Sequence, residues 1–177
     1  MSLTAREFWT VAHGMILGSF FLLAFAGGLA GLWSLRPEWV TAAGIQERTR
    51  RLVGGTWVMA VVAWLTVVSG TFFVYPWYRA KPPTGTTDLT GYPRYLLLAK
   101  PETAEWHKFG MEWKEHVAWL APILATAVAY VVVTYGPRLA HDKKIRQALI
   151  VLFVLAFVAA GAAGMFGAFI NKVAATR

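Results

Sequence analysis

The sequence predicts an all-α membrane protein: four transmembrane helices in an up-down-up-down bundle, with helix three extended on the outer side. Three observations carry that prediction. Hydrophobic residues make up 57% of the 177 positions and charged residues only 15%, well below the share of charge in a globular chain. The charges are gathered into blocks, which leaves 8–35, 52–78, 117–137 and 147–171 free of Asp, Glu, Lys and Arg. Each of these runs reaches the roughly 20 helical residues needed to cross a hydrocarbon core of about 30 Å.

The spans are placed at approximately 8–35, 52–78, 113–137 and 147–171, within a single integral membrane domain 1–177 and with an outer loop over 79–112. The first run is longer than the apolar region of a secretory signal, lacks a strongly basic start and is followed by a second span, so it reads as an uncleaved first helix. Aromatic residues sit near the ends of the runs, among them Trp9, Trp33, Trp57, Trp77, Trp113 and Tyr135, as interfacial belts require.

Two short connections, 36–51 and 138–146, hold Arg36, Arg48, Arg50, Arg51, Arg138, Lys143, Lys144 and Arg146. The remaining basic residues are more dispersed. Because orientation follows the density of Lys and Arg in short loops, the two short loops are expected in the cytoplasm and both termini on the periplasmic side of a bacterial inner membrane. The formal charge of +8 then reports topology and contact with anionic lipid, not nucleic-acid binding.

The outer loop opens with a Pro-, Gly- and Thr-rich stretch, KPPTGTTDLTGYPRY, that predicts an extended excursion with turns. Pro101 suits a first helical position, and Glu102 and Glu105 suit the positive end of a helix. Helix three is therefore expected to begin there, and either to stand clear of the membrane or to break near Gly110.

Cysteine is absent, which excludes disulfides, thiolate metal sites and covalently attached c-type haem. No phosphate-cradling loop or dinucleotide fingerprint occurs, so nicotinamide or flavin chemistry would have to reside elsewhere. Four histidines remain to carry metal chemistry. His13 lies about one and a half turns into the first span and His116 opens the third. Both spans enter from the outer side, so these residues share a depth, and helices one and three of such a bundle lie diagonally across its core.

That is the arrangement a bis-histidine haem b requires. Projection at about 100° per residue carries the His13 face through Phe20, Ala24, Gly27 and Gly31, and the His116 face through Ile123, Ala127, Tyr130 and Thr134. Gly14, Gly27 and Gly31 are expected to admit a flat macrocycle or a neighbouring helix. Glu112 is a candidate partner for the ligating His116. His107 falls about 180° away on a continuous helix and is expected to be solvated; His141 stands alone near the inner side. Met59 reads as core filler, not as an iron ligand.

The expected function is that of a membrane cytochrome b-type electron-transfer subunit with one haem b bound by His13 and His116, non-catalytic by itself. Its expected partners are other membrane-complex subunits, an external redox protein and lipid, with a quinone as a further candidate, and no nucleic acid. Two alternatives have different chemistry: a chlorophyll-type pigment-binding accessory subunit, for which one histidine suffices, and a cofactor-free structural subunit of a larger complex.

Overall fold

A computed structural model describes residues 3–175 of the chain. Among these residues there is no strand. Four helices are long and apolar enough to cross a membrane: α1 (Ala5–Ser34), α2 (Ala42–Tyr78), α4 (Pro101–Ala140) and α5 (Lys143–Val173), with a short α3 (Pro93–Leu98) between the second and third long helices. The extreme ends of the chain, expected on the periplasmic side, lie outside the described residues.

The helices run further than their apolar cores. α2 starts at Ala42, not near residue 52, because charge does not end a helix: Glu47 pairs with Arg50 at 2.8 Å and with Arg51 at 2.7 Å, one turn on. α1 begins at a capping box, in which the Glu7 amide donates to Thr4 Oγ1 and the Thr4 amide to the Glu7 carboxylate. α4 begins at Pro101 as expected, and it does not break at Gly110: the helix continues through a π turn at Trp106–Met111 and a tight 3-10 turn at Val117–Trp119. The excursion of 79–100 is extended only in its first part. Pro93, placed at a helical first turn, opens α3, whose Leu97 is fully buried.

The fold divides into two compact units, and each long helix is shared between them. The first gathers Met1–Gly18, Leu65–Trp119 and Ala160–Arg177; the second gathers Ser19–Trp64 and Leu120–Ala159.

The second unit is packed through small and aromatic groups. Ala125, Val128, Ala129 and Val132 of α4 are fully buried, as are Met59 of α2 and Phe153 of α5. Phe25 stacks on Phe157 with ring centroids 4.1 Å apart, and the missing side chain of Gly28 leaves room for the Phe153 ring, which an added Cβ would meet at 2.6 Å. Buried hydroxyls return to their own helix, Thr56 Oγ1 donating to the Leu52 carbonyl at 2.9 Å. Arg146, only 7% exposed, donates through Nη1 to the carbonyls of Leu139 and Ala140 and so satisfies the end of α4. Many large apolar side chains, including Leu23, Val61, Ile123, Val151 and Leu155, remain exposed, a surface suited to lipid and not to water.

In the first unit a core of Tyr78, Leu97, Met111, Ile170 and Ala174 ties the end of α2 to α3, α4 and α5. Trp9 of α1 stacks on Phe73 of α2 at 4.2 Å with nearly parallel rings.

Candidate functional site

Three π turns interrupt the described helices, at Ala12–Ile16, Gly70–Val74 and Trp106–Met111, and all three lie in the first unit. A π turn accommodates one extra residue, turns everything beyond it by about 100° and is found mostly where a helix serves a site. Here two of them carry His13 and His107, and the third begins at the glycine against which His13 packs.

His13 Nδ1 lies 3.1 Å from Ser69 Oγ. With the single proton of the Ser69 hydroxyl placed on the Thr66 carbonyl at 3.0 Å, the oxygen would accept from the imidazole and His13 would be the Nδ1–H tautomer. Its Nε2 then carries the lone pair. Gly70 is required at this approach: an added Cβ would sit 2.6 Å from His13 Cε1 and 3.2 Å from both ring nitrogens.

His116 follows the same rule with different partners. Its Nδ1 donates to the Glu112 carbonyl at 3.0 Å, and the Glu112 carboxylate stands 3.4 Å away. It is the Glu112 backbone, and not its side chain, that makes this hydrogen bond. The ring faces outward, however, with 71% of the His116 side chain exposed. Ile123, Ala127, Tyr130 and Thr134, projected onto its face, are exposed as well. Among the described residues His13 and His116 share no hydrogen bond, ion pair or ring contact.

Projection from His13 fails for a definite reason. The buried positions of α1 are Phe21, Gly28 and Leu32, one residue beyond the expected Phe20, Gly27 and Gly31, and the π turn at Ala12–Ile16 supplies that one-residue offset. Gly14 and Gly27 accordingly open on space, where an added Cβ would meet nothing within 4 Å, whereas Gly31 admits the Leu52 side chain of α2.

His107 is not solvated. It is half-buried, and its Nδ1 lies 2.8 Å from the hydroxyl of Tyr78, itself only 4% exposed. The π turn at Trp106–Met111 removes about 100° of the half-turn expected between His107 and His116, which redirects the ring onto α2. Arg79, Arg94, Glu112 and Glu115 are the charged groups close enough to act on it. Glu105 pairs with Lys108 at 3.1 Å.

Sequence reasoning passed over Ser69, Gly70 and Lys114 as site residues. The Lys114 ammonium donates to the Ala163 carbonyl of α5 at 3.2 Å and fills the space left by Gly167. Gly161, Gly164 and Gly167, spaced three residues apart on the fourth span, were the available signal for that cation. His141 is exposed in the second unit, and no group of three or more potential metal-ligating His, Asp or Glu side chains occurs among the described residues.

No protein-family model matches the chain, and neither does any curated protein or any solved structure.

Proposed function

We propose that the chain is a membrane cytochrome b-type electron-transfer subunit that carries one haem b between His13 and His116, near the outer face of a bacterial inner membrane. The observation that carries this reading is the common state of the two imidazoles. Each has its Nδ1 within hydrogen-bond distance of a protein oxygen, Ser69 Oγ or the Glu112 carbonyl, the arrangement that would leave Nε2 as the ligating atom. Histidine inside an apolar span is costly without a task, which adds weight to His13.

In this reading the helices run up-down-up-down, both termini are periplasmic, and the 40 residues of α4, about 60 Å long, extend beyond the bilayer on that side. Haem supplies one-electron chemistry; Ser69 and Glu112 fix the rings, and Gly70 sets the distance of His13 from α2. Electrons pass between a quinone or membrane partner and an external redox protein, so the chain works as a subunit and not as an enzyme alone. Its lipid contacts are the exposed apolar faces.

The outward stance of His116 favours a second reading, in which His13 alone ligates a chlorophyll-type pigment, or no cofactor binds and the His116 stripe is covered by another subunit of a larger complex. A reduced-minus-oxidised spectrum of the detergent-purified chain, with a pyridine haemochrome count, separates these. The expected result is about one low-spin haem b per chain, lost in His13→Ala and in His116→Ala and kept in His107→Ala and His141→Ala. Equal haem content in all four variants sinks the ligand assignment, and long-wavelength chlorin absorption transfers it to the pigment.

A further inference from the structure

Arg94 is fixed in place by its neighbours. Pro93 and Leu97 on either side of it are buried, and Thr103 Oγ1 donates to the Leu97 carbonyl at 2.7 Å, which clamps α3 to the start of α4. The guanidinium lies 5.9 Å from the Tyr95 ring centroid and close to the Tyr78–His107 pair. Its Nε is buried with no hydrogen-bond partner, and among the described residues no carboxylate, carbonyl or hydroxyl accepts from the group.

The surrounding groups are already committed. Arg79 donates through Nη1 to the Tyr75 hydroxyl at 2.9 Å and stands over the same ring. Glu115, an acid that acts on this cluster, is engaged by Tyr75. Arg94 cannot relieve its position by losing a proton, since a guanidinium stays charged, and its planar fork matches the paired oxygens of a carboxylate or phosphate. A buried donor left unpaired is a feature that native structures seldom keep without a use.

We propose that Arg94 is the cationic anchor of a site for an anionic oxygen group, a carboxylate or a phosphate, beside Tyr78 and His107. Two sources supply that chemistry. One is a haem propionate, which rests on the haem reading above; the other is the phosphate of an anionic phospholipid, which does not.

The test uses the full chain in detergent and the variants R94Q and R94K. Ferric haem and its dimethyl ester, in which the propionates are uncharged, are titrated optically; retention of phosphatidylglycerol against phosphatidylcholine is followed by native mass spectrometry. If the carboxylate is the ligand, the wild type prefers free haem to the ester by about tenfold, and R94Q binds both alike while R94K falls between. If the phosphate is the ligand, the wild type retains phosphatidylglycerol selectively and R94Q loses that selectivity, whether or not any haem binds. Unchanged binding of the ester by R94Q, together with unchanged helical circular dichroism, shows that the variant is folded. Wild-type preferences for both free haem and phosphatidylglycerol surviving in R94Q, or no preference of either kind in the wild type, overturn the proposal. Failure of haem to bind, with lipid selectivity intact and Arg94-dependent, removes the haem reading alone.

Discussion

Replacing Gly70 by Ala pushes a methyl group into the imidazole of His13. The new Cβ would stand 2.6 Å from His13 Cε1, far inside van der Waals contact, and the ring, pinned by its bond to Ser69, cannot swing away freely. Overpacking of this kind costs about 1–3 kcal/mol, and loss of the Ser69 bond adds about 0.5–1.5 kcal/mol. Against this, alanine gains about 1 kcal/mol over glycine in a helix. Gly54→Ala, on the same helix with nothing within 4 Å of the added carbon, receives that gain without the clash. The difference between the two variants therefore isolates the His13 contact at about 1.5–4.5 kcal/mol, the sum of the first two contributions. Sodium dodecyl sulfate titration in mixed micelles, followed by circular dichroism, measures it, and nitrogen chemical shifts of the imidazole report whether the Nδ1–H tautomer survives. If Gly70→Ala matches Gly54→Ala to within about 0.5 kcal/mol with unchanged His13 shifts, the close approach described here is wrong.

A neighbouring pair tests the register of α1. Gly28→Ala drives a carbon to 2.6 Å from the Phe153 ring and is expected to lie about 1–3 kcal/mol below Gly27→Ala, which meets nothing and receives only the helix gain of about 1 kcal/mol; the reverse order would restore the simple projection from His13. In the loop, Asp88 Oδ1 accepts from the Thr90 amide, and this bond holds the carboxyl below the usual aspartate range. Since the folded value is the lower one, the turn is fully supported above the unfolded value and loosens as pH falls through the folded one. Carbon-detected titration of Asp88 should give a midpoint below that of an unstructured peptide, and an ordinary midpoint would remove the bond from consideration.

The four long helices and the start of α4 at Pro101 were legible because hydropathy and proline placement are local signals. Helix ends were less so, because a pair such as Glu47 and Arg51 lengthens a helix that a count of apolar residues cuts short. The site was legible only as a set of histidines. Hydropathy does not mark a π turn, yet one extra residue at Ala12–Ile16 moves the buried face of α1 from Gly27 to Gly28, and another at Trp106–Met111 turns His107 from solvent to Tyr78. Partners such as Ser69 for His13, 56 residues away in sequence, depend on two helices meeting and carry no periodic signature. Gly70 looked like any glycine of an apolar helix until the ring beside it was in view.

The confinement of the π turns to the first unit has a consequence for how the molecule breathes. Each such turn replaces the usual hydrogen-bond ladder with a wider and weaker one, and opening free energies follow the local ladder and its packing. Amide hydrogens around Ala12–Ile16, Gly70–Val74 and Trp106–Met111 should then exchange with deuterium sooner than those flanking the alanine-rich seam of Ala125, Ala129 and Phe153. On this difference of ladders the second unit is expected to hold its shape while the first yields locally, without the whole having to unfold.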